Sequence, residues 1–365
     1  MKIRKILIDR AVSDYIETRS ICRRVNRPAE YADDLEGLFR EINESKDPQS
    51  AGKRVLLLTR NKGDFIRMCP GTTHYTCCNY KILHIGSYCS MDCSYCILQA
   101  YFHPPLLTFF VNHDEMERSL SALFLSHGIH RVGTGEFTDS LIWESIYPLA
   151  KKLVLRFAQS QNAVLELKTK TASVDHLLDI EHMGKTIMAW SLNTEAVIAS
   201  QERGTASLDE RIDAAALCQA RGYPLAFHFD PMIWYDGCEA DYASVVDKLI
   251  HRIDPAGIVW ISLGSFRFMP NLNDIIIRRY PRSRIVYGEF IRGFDNKMRY
   301  FKPLRIRLYR SIVDRLKHAA PNTTLYFCME DDEVWTRVLG YPPADWGGLP
   351  NILDMSAVRH CGLTG

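Results

Sequence analysis

Apolar residues between positions 81 and 264 recur in two alternating rhythms. Short runs of large and β-branched apolar side chains cover Lys81–Gly86, His130–Gly135, Val164–Lys170, Thr186–Asn193, Pro224–Asp230 and Gly257–Gly264. Between them, apolar positions return every three to four residues over Glu115–Leu125, Leu141–Gln159, Leu208–Arg221 and Tyr242–Ile253. The first rhythm predicts strands and the second predicts amphipathic helices. Strands that alternate with helices build βαβ units and a parallel sheet. Six such units are too few to close an eight-stranded barrel, so the pattern predicts an α/β fold with a partial, TIM-like (β/α)6 barrel. On this reading the chain divides into an N-terminal extension (1–80), the barrel (81–270) and a C-terminal region (271–365).

Several predicted strands end in polar residues on one face. Period two groups Glu166, Lys168 and Lys170, as it groups Ser191 with Asn193, His228 with Asp230 and Thr134 with Glu136. Core strands have little use for such groups. Four strands ending this way predict a ligand cavity at the C-terminal ends of the strands, where barrels of this kind keep their chemistry. His228 and Asp230 read as a hydrogen-bonded structural pair.

Composition adds a class and a compartment. The chain has 365 residues, 47% hydrophobic and 24% charged, which is ordinary for a globular protein. No apolar run approaches the roughly 18 residues that would suggest a membrane span. Asp9 interrupts the basic, apolar start, so neither a signal peptide nor a membrane partner is expected, and the expected location is cytoplasmic. Eleven cysteines, three of them clustered, suit a reducing compartment and a metal site better than a disulfide framework.

The net charge of +2 is unevenly spread. Arg278–Lys317 holds 13 Lys or Arg against three acids, so the rest of the chain carries about −8. Tyr280, Tyr287, Phe290, Phe294, Tyr300, Phe301 and Tyr309 are interleaved with those cations. Charge for phosphates and flat rings for bases predict a nucleic-acid-binding C-terminal region, centred on Arg292–Lys302. In the same stretch Leu304, Leu308, Ile312 and Leu316 predict an amphipathic helix with its arginines toward water.

Candidate chemistry centres on Cys89-Ser-Met-Asp-Cys93-Ser-Tyr-Cys96, directly after the first predicted barrel strand. Three thiolates at this spacing can hold three irons of a [4Fe–4S] cube and leave the fourth iron open. This loop resembles the one in radical S-adenosylmethionine (SAM) enzymes, whose open iron chelates SAM. A four-ligand zinc site completed by Cys77, Cys78 or His84 is the alternative. Cys69, Cys77 and Cys78 read as buried core thiols, extra metal ligands or redox thiols. His103, before two prolines, reads as a loop residue.

With Ile97-Leu98-Gln99 following the triplet, the chain resembles the spore photoproduct lyase family of radical SAM enzymes. Thr59-Arg-Asn-Lys62-Gly and Cys69-Pro70-Gly71-Thr72 resemble the family upstream of the cluster. Downstream, so do Thr169-Lys170, Val174-Asp175-His176-Leu177-Leu178, Ser191-Leu192-Asn193, Gly204-Thr205 with Leu208-Asp209, and Gly222-Tyr223-Pro224-Leu225. The resemblance is dense over residues 50–260 and fades after about 318, so that Trp346–Gly365 reads as an addition.

The resemblance implies a lyase that uses a [4Fe–4S] cluster and SAM to repair 5-thyminyl-5,6-dihydrothymine in DNA. A 5′-deoxyadenosyl radical takes hydrogen from C6 of the lesion, and a reducing donor such as flavodoxin or ferredoxin feeds the cluster. It implies Cys89, Cys93 and Cys96 as cluster ligands, with Thr138, Lys170, Ser191 and Asn193 around SAM. Arg299, Tyr300 and Lys302 correspond to the family's DNA-contacting hairpin.

Two positions depart from the family. Glu136 stands where the lyases carry the cysteine that returns hydrogen to the product, and Ile97 stands where they carry a tyrosine. Thr134-Gly135-Glu136 instead resembles the Gly-Gly-Glu stretch that holds the amino group of SAM, since a carboxylate accepts charge-assisted bonds from an ammonium. Tyr95 is the remaining aromatic beside the cluster, and Cys238 is a candidate replacement for the hydrogen donor. These departures leave open hydrogen abstraction from a different substrate. A non-catalytic, metal-containing nucleic-acid-binding protein is the reading from a second class.

Overall fold

In the computed structural model, which describes residues 2–71 and 74–364, eight strands form one sheet whose spatial order follows the chain. They are β1 (Ile66–Met68), β2 (Lys81–Leu83), β3 (His130–Gly133), β4 (Ala163–Thr169), β5 (Thr186–Ser191), β6 (Leu225–Met232), β7 (Ile258–Ser265) and β8 (Leu325–Phe327). Strands β2 to β8 run parallel, and β1 caps the edge antiparallel to β2. The two ends of the sheet do not meet, which makes it an open half-barrel. All six expected barrel strands are present. Strands β1 and β8, at three residues each, are too short to show a rhythm in the sequence. Thr72, in the family-like Cys69–Thr72 stretch, lies outside the described residues.

The helices His113–Leu125, Leu149–Phe157, Leu208–Ala220, Cys238–Arg252 and Lys302–Ala319 connect these strands. Leu208–Ala220 begins with a capping box in which Ser207 and Glu210 satisfy each other's backbone groups. The expected Leu141–Gln159 helix is broken. Ile142–Ser145 forms a tight 3₁₀ turn, and the α-helix starts only after Pro148, whose ring cannot continue a preceding helix.

The expected Lys81–Gly86 strand also divides. After Leu83 the chain leaves the half-barrel, and Gly86–Ser87 pairs antiparallel with Leu107–Phe110 in a second sheet. That sheet includes Lys5–Ile8, Ala29–Tyr31 and Val55–Thr59 from the N-terminal region. The crossing requires glycine, because a Cβ on Gly86 would lie 2.6 Å from the carbonyl oxygen of Thr108. A third, antiparallel sheet of Arg267–Phe268, Met298–Tyr300 and Phe290–Arg292 lies beyond β7. No helix among the described residues is long and apolar enough to cross a membrane.

The closing segment lies across the N-terminal ends of the strands. In the helix Leu349–Cys361, the Ser356 hydroxyl donates to the Val259 carbonyl at 2.5 Å, and Lys185 donates to the Cys361 carbonyl at 2.8 Å. Arg131 of β3 pairs with Asp354 at 2.6 Å. Leu353 is 1% exposed, so this segment is part of the core although the family resemblance fades before it. Leu353→Ala should destabilise the protein by about 2–5 kcal/mol, the usual range for emptying a buried leucine site. Chemical denaturation would read this, and a loss below about 1 kcal/mol would mean that the helix is peripheral.

Candidate active site

The cysteine loop follows Gly86–Ser87 and is held by neighbours on three sides. Backbone N–H groups of Asp92 and Ser94 donate to the carbonyls of Arg203 and Gln201, both at 2.8 Å. The Gln99 amide donates to the carbonyls of Cys93 (3.1 Å) and Ser94 (3.0 Å). Asp92 pairs with Lys53 at 2.5 Å and Arg279 at 3.0 Å. Burial works against ionisation of Asp92, but those two cations outweigh it and hold its carboxyl down at about 2.

This loop forms one wall of a cavity of about 400 Å³ at the C-terminal ends of the strands. Cys89, Cys93 and Cys96 line that wall together with Met91, Tyr95 and Ile97. All three thiols are free and held protonated by burial, Cys89 pushed up to about 12. Loading a metal there must therefore release protons.

Among the described residues, no three His, Cys, Asp or Glu side chains are grouped tightly enough to clasp a single ion. A zinc ion needs its sulfurs about 2.3 Å from one centre. In an iron–sulfur cube each thiolate binds a different iron, so three spaced thiols on one wall fit the cube. The proposed fourth zinc ligands point elsewhere. His84 lies edge-on to Phe110 and Phe137 with Nε2 at 3.1 Å from the Ser87 hydroxyl, and Cys77 and Cys78 hydrogen-bond each other.

The loop after β3 supplies a second part of the lining, tied to the cysteine loop by the Tyr88 N–H donating to the Phe137 carbonyl at 2.9 Å. Ser140 stitches it to β4: its N–H donates to the Lys168 carbonyl (3.1 Å), and its hydroxyl accepts from the Lys168 N–H (3.0 Å) and from the Thr134 hydroxyl (2.7 Å). The Asp139 carboxylate accepts from the Lys170 N–H at 2.9 Å and the Thr169 hydroxyl at 2.9 Å. These bonds hold the loop that carries Glu136 and Thr138, both of which line the cavity. Glu136 is ion-paired with Lys168, whose pKa is raised because Glu136 and Glu166 outweigh its burial. Lys170 and Ser191, at the ends of β4 and β5, line the same cavity.

Other expected site residues lie elsewhere. Asn193 is buried outside the cavity lining, its amide donating to the Pro231 carbonyl at 2.8 Å and accepting from the Tyr242 hydroxyl at 2.7 Å. His228 does not pair with Asp230. His228 lies 3.0 Å from Glu166 and 2.6 Å from the Ser262 hydroxyl, inside the barrel, whereas Asp230 forms a two-pronged pair with Arg267 at 3.0 Å. Cys238 is 1% exposed at the start of its helix and does not reach the cavity lining. His103 contacts the Ala100 carbonyl at 3.1 Å.

In the basic region, Arg299 is buried, pairs with Asp295 at 2.6 Å and stacks on Tyr75. Tyr300 is buried against Phe290, and Lys302 is paired with Asp331 and Glu333. The amphipathic helix is present as Lys302–Ala319, but its cations are matched by acids from elsewhere, as Arg305 by Glu330 and Arg315 by Asp247. Exposed groups of the region include Arg282, Arg284, Arg292, Tyr287, Phe294 and Phe301.

Glu202 is the site residue that the sequence does not announce. It follows the helix Glu195–Gln201 in a polar run before Gly204, where an acid reads as solvated. Its side chain is fully buried, accepts from the Tyr95 hydroxyl and from Arg211, and lies 3.5 Å from Lys170. Burial raises its pKa, but Lys170 and Arg211 outweigh that, leaving it below the ordinary glutamate value of 4.5. A depressed carboxylate stabilises the fold above the unfolded value and loses that contribution as pH falls through the folded one. Glu202→Gln should therefore cost about 3–5 kcal/mol at neutral pH by stranding Arg211. It should also flatten the acid limb of the stability profile below pH 4.5, read by denaturation at stepped pH. An acid limb equal to that of the parent protein would refute the assignment.

The spore photoproduct lyase family model matches residues 72–302. Spore photoproduct lyase of Bacillus subtilis (strain 168) is 30% identical over 206 residues, covering 55% of this chain and 60% of that protein. The enzyme of Clostridium acetobutylicum is 24% identical over 299 residues, covering 80% and 86%. The alignment thus spans less than two thirds of the Bacillus relative's length. A solved spore photoproduct lyase variant has the same fold, with a TM-score of 0.79 at 21% identity over 89% of this chain and 98% of that one. A variant solved with bound AdoMet and dinucleoside spore photoproduct gives a TM-score of 0.76 at 20% identity, covering 89% and 98%. Matched by the family model over more than half its length, on a fold shared with solved members, the chain belongs to the spore photoproduct lyase family.

Proposed function

We propose that this protein is a radical SAM lyase that repairs a thymine photoproduct, 5-thyminyl-5,6-dihydrothymine, in DNA. The observation that carries the reading is one cavity shared by the three thiols of the cysteine loop and by Thr138, Lys170 and Ser191, in a chain of this family. The thiols would hold a [4Fe–4S] cluster. When bound, the cluster and SAM supply an electron and a carbon radical able to remove hydrogen from carbon.

The chain's own residues bind, orient and exclude water. Lys170 offers a cation to a carboxylate, Thr138 and Ser191 offer hydroxyls to ribose or carboxylate, and Glu136 offers an acceptor to an ammonium. Met91, Tyr95, Ile97 and Leu98 form the apolar flank of the cluster wall. Tyr95 stays protonated because burial, reinforced by Glu202, raises its pKa. The Asp230–Arg267 pair, with Lys297, supplies fixed polar groups on the far side for a pyrimidine.

Arg292, Phe294 and Phe301, exposed around the third sheet, would meet the flanking nucleic acid. A ferredoxin- or flavodoxin-type protein would serve as electron donor. Eleven cysteines without a disulfide favour a cytoplasmic setting. A second reading, the same radical chemistry on a different substrate, is favoured by the Glu136–Lys168 pair where the relatives' thiol is expected.

The deciding experiment is an anaerobic reaction of reconstituted, reduced protein with SAM and the dinucleoside lesion, followed by mass spectrometry. Thymine together with 5′-deoxyadenosine supports the lyase reading; deoxyadenosine alone selects a different substrate. Glu136→Ala should weaken SAM binding severalfold in equilibrium dialysis, and unchanged affinity would remove Glu136 from the SAM site.

A further inference from the structure

Breaking the bond between the two bases of the lesion leaves one of them as a carbon radical, which must gain a hydrogen atom to become thymine. Among side chains, only a thiol or a phenol has an X–H bond weak enough to donate one readily. Glu136 cannot serve, because a carboxylic O–H bond is too strong. The cavity lining therefore decides which residue is available.

Resting on the lyase reading above, we infer that Cys69 is the catalytic hydrogen-atom donor to the product radical. Apart from the cluster triplet, Cys69 contributes the sole thiol to the lining of the cavity among the described residues. It sits just past β1, close enough to Glu136 and Lys168 to feel both charges. Its thiol also feels Cys328 and Cys77. Its backbone is pinned by an N–H bond to the Tyr80 carbonyl at 2.8 Å, and its side chain packs on the cluster of Tyr80, Ile82 and Phe137.

A hydrogen donor must also remain a thiol. Burial first, and Glu136 next, raise the pKa of Cys69, so the S–H bond is intact at neutral pH. The other candidates fail on position: Cys238 lies on its helix away from the lining, and Cys77, Cys78 and Cys328 are absent from it. Of the two phenols in the lining, Tyr95 gives its hydroxyl to Glu202, which leaves Tyr101, stacked on Phe137, as the phenolic competitor.

In the step itself the methylene carbon of the product gains hydrogen, the S–H bond breaks, and the unpaired electron moves to sulfur. One electron from an iron–sulfur or flavin reductant, the class that also reduces the cluster, and one proton from water restore the thiol.

The test compares the parent protein with Cys69→Ala and Cys69→Ser, the serine variant keeping the volume but not the weak bond. Cluster absorbance and SAM affinity, measured first, should match the parent in both. In D₂O the parent should place one deuterium in the thymine methyl group. Both variants should still form 5′-deoxyadenosine but release at least tenfold less thymine per deoxyadenosine. In cluster-free protein, bound dinucleoside lesion should slow alkylation of Cys69 at least tenfold, read by peptide mass spectrometry. Parent-level thymine yield from the variants would overturn this role alone and turn attention to Tyr101. A parent protein that forms deoxyadenosine but no thymine would overturn the lyase reading and this role with it.

Discussion

The site is organised around one buried carboxylate. Glu202 sits in the interior with no exposed side-chain surface and is tied to Tyr95 in the cysteine loop, Lys170 at the end of β4 and Arg211 in the helix that precedes β6. A lone carboxylate there would be strongly unfavourable, so it stays ionised only while its partners stay in place. Three segments distant in sequence are thereby held in one geometry. The backbone bonds from Asp92 and Ser94 to Arg203 and Gln201 run beside this contact and fix the same loop. Arg211 adds a bond to the Ser191 carbonyl at 2.9 Å, which carries the constraint to the next strand of the cavity.

The cavity has two chemically distinct sides. Sulfur and apolar groups form the wall that the cysteine loop supplies. Ion pairs form the opposite side, Glu136 with Lys168 and Asp230 with Arg267. Paired charges keep their orientation when water is displaced, so a polar ligand meets donors and acceptors already in position. Cys69 and Tyr101 contribute the two weak X–H bonds of the lining outside the cysteine loop.

The basic segment shows why charge counting is a poor guide to an interface. Much of its excess is absorbed internally, Arg305 by Glu330, Arg307 by Glu239, Arg315 by Asp247 and Lys302 by Asp331. Acids spread over the rest of the chain converge on this one face. What is left for a partner is a smaller set of arginines with the exposed rings of Tyr287, Phe294 and Phe301.

The half-barrel was legible in the sequence because period two and period 3.6 are local properties of the chain, and the six long strands carry them plainly. The cysteine loop was legible for a similar reason: its ligand spacing lies within eight consecutive residues. The polar strand ends likewise announced a cavity, and Glu136, Thr138, Lys170 and Ser191 line it. Tertiary structure decided everything that depends on partners far apart in the chain. It alone drew Asn193 onto Pro231 and Tyr242, separated His228 from Asp230, and buried Arg299 against Asp295 and Tyr75. It alone turned Glu202 from an apparent loop acid into the anchor of the site, and brought Cys69 to the cavity that Cys238 does not reach. Periodicity reports which face of a strand or helix is covered, but which charge meets which is settled only when the sheet curls and its loops converge.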